Sequence, residues 1–330
     1  MLNNLNLLFF IMTSFGAIIS FSATNWFSAW MGLEINMISF IPLFMNNKNT
    51  YSTEAAMNYF LVQASASAMF LFFCINNSLM NTSGQYFIET IYSLLIVTPL
   101  LIKLGSAPFH TWFVNMMQSL NFSMCFALVT MQKLAPLFIM NFSFNFKLIL
   151  IFSIFSVIVG SIGGLNQTFL KKILAFSSIN HLGWMLASMN ISKIVLINYF
   201  LFYSFMNIFV IIFLNKFSIN QFNQGTSNLS ILTLSTSILS LGGLPPFLGF
   251  LPKWMMIQML ALNKYFIMVA IFILTALITL LYYLRLIYSS LLLNASTQKW
   301  FKPFSLVDST TIFFLISTSC LSLALFNLII

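Results

Sequence analysis

The sequence predicts an all-α integral membrane protein of about eleven transmembrane helices: two inverted five-helix repeats with discontinuous helices, plus one C-terminal helix. Three observations carry that expectation. The 330 residues are 60% hydrophobic and only 5% charged, with mean hydropathy +0.98. Apolar stretches of span length follow one another along the whole chain. Two of them are interrupted by related segments, LGSAPF at 104–109 and LGGLPPF at 241–247, each followed by a tryptophan, Trp112 and Trp254.

A helix needs about 20 mostly apolar residues to cross a bilayer. Stretches of that kind lie at 5–23, 25–45, 54–77, 85–119 (with a break), 121–141, 147–165, 169–189, 193–215, 229–262 (with a break), 264–291 and 306–329. The first lacks a basic flank and an A-x-A cleavage site, so it is expected to be a retained helix and not a signal peptide. The longest connections, 216–228 and 294–305, are too short to fold alone, which makes residues 1–330 a single polytopic membrane domain. Both breaks fall in the fourth stretch of a set of five. Residues 1–145 then form the first repeat, 146–293 the second, and 294–330 carry the C-terminal helix. An odd number of spans per repeat turns the second copy upside down, the pattern in which broken helices mark an ion site near the midplane.

Net charge is +9, but the basic residues are dispersed and most lie at span ends, which excludes a nucleic-acid patch. Counted on alternate faces, the N-terminal side carries Lys48, Lys171, Lys172, Lys216, Arg285, Lys299 and Lys302, while the opposite side carries Lys147, Lys193 and Lys264. The excess places the N-terminus on the cytoplasmic or matrix side and the C-terminus opposite. Cys74, Cys125 and Cys320 are scattered, with no spacing suited to a disulfide framework, an iron–sulfur cluster or haem, and are expected to be packing residues. No metal site and no cofactor-binding motif is expected in this chain.

The breaks involve Gly105 and Pro108 in the first case and Gly242, Gly243, Pro245 and Pro246 in the second. Irregular backbone at membrane depth survives only where protein or a hydrated cavity covers it, so these residues are expected to face the interior. Ordinary proline kinks are the alternative; two breaks at matching places, each with a lysine nearby, argue against it. Gly160 and Gly164, four residues apart, indicate close helix packing rather than a nucleotide loop, since no strand precedes them.

Most charges sit where they cost little, but Glu34, Lys103, Lys133 and Lys253 lie within spans, as does the titratable His181. A lysine or acid at the bilayer centre costs about 2.5–3.5 kcal/mol, so four facing lipid would cost on the order of 10 kcal/mol. They must face a polar interior. Burial favours a neutral lysine and a nearby carboxylate favours the ammonium, so a lysine with a movable anionic neighbour can exchange its proton. Glu34 is the obvious partner for Lys103, and the two are expected to interact directly or through one water. Permanent ion pairing is the bland alternative, but three lysines and one acid cannot all pair. His110, just past the first break, is expected to play an auxiliary part by bonding freed carbonyls.

The segments GLEINMISFIP (32–42), STEAAMNYFL (52–61), KLGSAPFH (103–110), QKLAP (132–136), GSIGGLNQTFLKKILAFSSINHLGWM (160–185) and LSLGGLPPFLGFLPKW (239–254) closely resemble the antiporter-like membrane subunits of respiratory complex I, in the shortened animal form of the mitochondrial subunit 2 family. The resemblance runs along the whole chain. It implies a proton relay in which Glu34 is the coupling acid, Lys103 its paired lysine, Lys133 the central lysine, Lys253 the lysine of the second broken helix and His181 a histidine on the connecting path. It further implies a mitochondrial inner-membrane location with the N-terminus on the matrix side. The partners it implies are other membrane subunits, further antiporter-like ones among them, and membrane lipids. NADH, FMN, iron–sulfur clusters and ubiquinone would then reside in partner chains. Val114 and Asn115 stand where the family has a Pro-Glu pair, and Met131 where it has tryptophan before Gln-Lys, which puts in doubt any proton route through an acid beside the first break. A free-standing cation/proton antiporter and a non-pumping scaffold subunit are the competing functions.

Overall fold

The computed structural model describes residues 4–45, 50–80, 86–142, 146–217, 221 and 228–295. The expected C-terminal helix at 306–329 lies outside them, as do Lys48, Lys299 and Lys302. Every element among the described residues is a helix; the one β contact is an isolated bridge between Phe169 and Gln221. Six helices are long and apolar enough to cross a membrane by length and composition. The described chain is therefore helical and multi-pass. It divides into two compact units after Ser156.

The first unit comprises α1 (Asn4–Phe21), α2 (Trp26–Phe44), α3 (Thr50–Met80), α4 (Tyr86–Leu104), α5 (Thr111–Ser119), α6 (Phe122–Val129), α7 (Met131–Met140) and the start of α8 (Phe146–Gly164). α1 and α2 approach backbone to backbone. A Cβ on Gly16 would lie 2.8 Å from the Asn36 nitrogen, and one on Gly32 would lie 2.7 Å from the Ser20 nitrogen. Small residues permit such contact where lipid supplies no hydrophobic drive between helices. The outer face of α1 exposes Leu8, Ile11, Phe15 and Ile18, side chains suited to hydrocarbon.

The stretch 121–141, expected as one continuous helix, is interrupted at Thr130 between α6 and α7. Pro136 lacks the N–H that would bond the carbonyl of Gln132, which loosens the preceding turn. The turn tightens instead, with the Lys133 N–H donating to the Thr130 carbonyl at 3.2 Å. The irregularity falls three residues before the central lysine.

The second unit continues α8 and adds α9 (Leu170–Met189), α10 (Lys193–Phe217), α11 (Asn228–Gly242), α12 (Phe250–Leu262) and α13 (Phe266–Ala295). α9 is its centre: all residues from 173 to 189 are buried. A helix carrying Ser177, Ser178, Asn180 and His181 in mid-length could not face lipid, and here it does not. Its serines bond back to their own helix, Ser177 to the Leu174 carbonyl and Ser178 to the Ala175 carbonyl, each at 2.8 Å. Gly160 lets α8 press against the Asn180 backbone, where a Cβ would sit 2.6 Å from nitrogen. Gly164 receives the ring of Tyr282. At the end of α8, the exposed Arg285 guanidinium donates to the Leu165 carbonyl, a cation meeting the negative pole of a helix.

Candidate functional site

The first break is closed by backbone chemistry. Gly105 adopts φ +69°, the left-handed conformation that glycine enters without steric cost. Its N–H donates to the Ile102 carbonyl at 3.1 Å, and the Ser106 N–H donates to the Leu101 carbonyl at 3.2 Å, the paired pattern that ends a helix on a left-handed residue. Side chains supply the rest. The Trp112 indole N–H donates to the Ile102 carbonyl at 3.0 Å, and the Gln63 amide donates to that of Lys103 at 3.3 Å. The carbonyls of Leu101, Ile102 and Lys103 are thus satisfied without water. His110 bonds at its Nδ1 to the Pro108 carbonyl, 3.1 Å away, within the break.

The second break is closed differently. Gly243 adopts φ +78°, with its N–H shared between the Leu239 and Ser240 carbonyls, each at 3.1 Å. The ammonium of Lys253, from the first turn of α12, reaches back and donates to the Gly242 carbonyl at 2.8 Å. Lys103 achieves a similar placement from within the last turn of α4. In both breaks a buried lysine belongs to the C-terminal, negative end of the first half-helix.

The interior expectation holds for the glycines only. Gly105, Gly242 and Gly243 are buried, whereas Pro108, Pro245 and Pro246 are exposed. The left-handed glycine turns the chain outward, and the prolines occupy the turn beyond it, where no backbone donor is needed.

Lys103 and Lys133 line one cavity of about 20 Å³ together with Asn36, Tyr59, Gln63 and Gln132. That is room for a single water, which requires about 10–15 Å³ by the same measure. Polar groups from four helices meet there. The Tyr59 hydroxyl donates to Gln132 Oε1 at 3.2 Å, and Gln132 Nε2 donates to Asn36 Oδ1 at 3.0 Å. Lys133 is 2% exposed, and its Nζ stands 4.8 Å from the centroid of the Phe113 ring, a cation–π contact. Glu34, half-buried on α2, interacts electrostatically with Lys103 without a direct ion pair. Of the contact expected from sequence, direct or through one water, this electrostatic interaction is what the structure shows.

In the second unit, His181 is buried on α9, with its Nδ1 2.9 Å from the Tyr199 hydroxyl and its ring 5.0 Å from that of Tyr203. The sequence reasoning missed Asn36, Tyr59, Gln63, Gln132 and these tyrosines. Gln132 and Asn36 had a signal, being amides inside apolar spans next to Lys133 and Glu34.

The membrane family described as NADH:quinone oxidoreductase/Mrp antiporter matches residues 23–279. NADH-ubiquinone oxidoreductase chain 2 of Anopheles gambiae is 44% identical over 303 residues, covering 89% of this chain and 88% of the mosquito protein. Among solved structures, a chain of respiratory complex I from Thermus thermophilus, with bound aureothin, superposes at TM-score 0.81 and 22% identity, covering 98% of this chain and 78% of that one. A chain of the Mrp complex from Dietzia sp. superposes at TM-score 0.76 and 17% identity; this chain covers 59% of that chain's length, and 86% of its own residues take part. Those two likenesses speak to the fold. With a relative this similar along nearly its full length, the chain belongs to the NADH-ubiquinone oxidoreductase chain 2 family of antiporter-like membrane subunits.

Proposed function

We propose that this chain is a core membrane subunit of proton-translocating NADH:ubiquinone oxidoreductase, complex I, that moves protons and performs no redox chemistry itself. The observation that carries the reading is the cavity shared by two buried lysines beside a broken helix, with Glu34 acting on one of them from a distance. Glu34, Lys103 and Lys133 form the first half of the relay, and His181 and Lys253 the second. About eleven spans in two inverted repeats underlie it; the matched glycine-ended breaks, each with a lysine at the half-helix C-terminus, support that arrangement.

The geometry suits stepwise proton transfer. An ammonium at Lys103 is supported by the Glu34 charge and by the carbonyl end of α4. Withdrawal of that carboxylate charge leaves a buried cation without its counter-charge, which favours release of the proton. A water in the cavity, held by Gln63 or Gln132, can pass it to Lys133, whose ammonium rests on the Phe113 ring. NADH, FMN, iron–sulfur clusters and ubiquinone belong to partner subunits in this reading, supported by the scattered cysteines and the lack of a nucleotide loop. The chain works in the mitochondrial inner membrane, N-terminus toward the matrix, beside other antiporter-like subunits and lipid.

Lys133→Ala tests the proposal in sealed membrane vesicles. The expected result is an assembled complex whose proton yield per NADH oxidised falls. An unchanged yield with normal assembly refutes the relay. The likeness to the Mrp complex favours a second reading, a cation/proton antiporter, which purification away from a large NADH-oxidising assembly would support.

A further inference from the structure

α2 carries a buried donor that the relay described above does not use. The indole N–H of Trp30 is shielded from solvent and has no hydrogen-bond partner among the described residues. Its ring packs on that of Phe27, with centroids 5.6 Å apart, a contact that any aromatic side chain could make. Phenylalanine would fill such a site without stranding a donor, and the sequence uses 40 of them. Buried polar side chains are almost always bonded, so the Trp30 N–H calls for an acceptor.

The helix itself narrows the choice. On α2 the neighbours of residue 30 along one face are those three and four positions away: Trp26, Phe27, Leu33 and Glu34. Only Glu34 among them carries an acceptor. A helical side chain leans toward the N-terminus and covers the turn before its own Cα, which sends the Glu34 side chain toward Trp30. Lys103 does not hold it fast: Glu34 is half-buried and acts on that lysine without a direct ion pair.

The placement gives such a bond a consequence. Trp30, Leu33 and Met37 are spaced as one stripe of α2, and Leu33 and Met37 line the cavity shared by Lys103 and Lys133. Trp30 stands on the same side of the helix, one turn beyond that cavity. A Glu34 carboxylate that turns to Trp30 thereby moves away from the level of the lysines.

We propose that Trp30 is a positioning residue for Glu34: its indole N–H hydrogen-bonds the carboxylate in a second position, one turn beyond the cavity, and so sets how strongly the acid acts on Lys103. An indole N–H donates the hydrogen bond and keeps its proton. Glu34 therefore stays ionised in that position, and its charge is withdrawn from Lys103 without being neutralised. The effect on pumping rests on the proton-translocating reading; the hydrogen bond itself does not.

The test uses the whole assembled complex. Density maps recorded at rest and during NADH turnover are expected to place a Glu34 carboxylate oxygen within about 3.2 Å of Trp30 Nε1 in at least one state. Two variants separate donor from packing. Trp30→Phe keeps a large ring and removes the N–H, whereas Trp30→His is smaller but sets a donor-capable nitrogen, Nε2, at the ring position of the indole nitrogen. A packing role ranks Phe above His, and a donor role ranks His above Phe. Loss of a hydrogen bond to a charged acceptor shifts the balance between two positions about ten-fold or more, so proton yield per NADH is expected to fall at least about two-fold in Trp30→Phe at normal assembly, and less in Trp30→His. Absence of the contact from both maps, an unchanged yield in Trp30→Phe, or a Trp30→His yield no better than that of Trp30→Phe overturns the proposal. Should Trp30→Phe fail to assemble, the contact in the unsubstituted complex together with pumping by Trp30→His supports the proposal, and lack of either overturns it. If Lys133→Ala also pumps normally, the proton reading has failed, and the maps still decide whether the hydrogen bond exists.

Discussion

Replacing Gly243 with alanine probes the second break where its geometry is tightest. The residue has φ +78°, a conformation that costs an L-residue roughly 1–2 kcal/mol. The added Cβ would lie 3.0 Å from Lys253 Cδ, 3.2 Å from its Nζ and 3.1 Å from the Gly249 carbonyl oxygen. The backbone oxygen cannot retreat easily, whereas the lysine chain can, so the ammonium gives way. Its 2.8 Å bond to the Gly242 carbonyl is lengthened or lost, and a hydrogen bond from a charged donor contributes about 1.5–3 kcal/mol. Together the loss is about 2.5–5 kcal/mol, a drop in the thermal midpoint of the membrane subunit measurable by unfolding in detergent, with reduced coupled pumping. Gly243→Asn separates the two causes, because asparagine tolerates the left-handed conformation but carries the same Cβ. The decisive comparison is a double-mutant cycle with Lys253→Met. If the Cβ acts through the lysine, the two penalties are non-additive. Strict additivity, or a Gly243→Ala protein as stable as its parent, would refute the reasoning.

Glu34→Gln keeps shape and hydrogen bonding while removing the charge. With no direct ion pair to Lys103, the penalty of about 3–5 kcal/mol for stripping one partner from a buried pair should not arise. Native electrophoresis is therefore expected to show normal assembly alongside impaired NADH-coupled pumping; poor assembly points to a static structural pair, and normal pumping removes Glu34 from the relay. Gly160→Val would drive a side chain into the Asn180 backbone, with its Cβ 2.6 Å from nitrogen, and is expected to cost about 3 kcal/mol or more, read as loss of the subunit from membranes. Wild-type levels of that variant would show that α8 and α9 can separate.

Much of this fold was legible because its causes are local. Apolar length alone marks a crossing, and the helices at Asn4–Phe21, Trp26–Phe44 and Lys193–Phe217 start and end within a few residues of the expected stretches. The breaks were legible because a Gly followed by Pro ends a helix whatever surrounds it, and the buried charges because lipid tolerates none. Lys103, Lys133, Lys253 and His181 are all buried. Pro136 announces a missing bond at the Gln132 carbonyl, but the interruption at Thr130 lies six residues before it, beyond the turn in which a missing N–H acts.

What only the tertiary structure decided is which groups those residues meet. The Gln63 bond to the Lys103 carbonyl joins residues 40 apart, Tyr59 to Gln132 joins residues 73 apart, and Gln132 to Asn36 joins residues 96 apart. Periodicity places each on a buried face but not against a particular neighbour, which depends on how whole helices pack. The same holds for Lys253: sequence put a lysine after the break, and packing sent its ammonium back to Gly242. It holds most for Tyr199, Tyr203, Tyr282 and Tyr283, which look like ordinary aromatic packing along two separate helices and become a polar cluster only where α9, α10 and α13 enclose them.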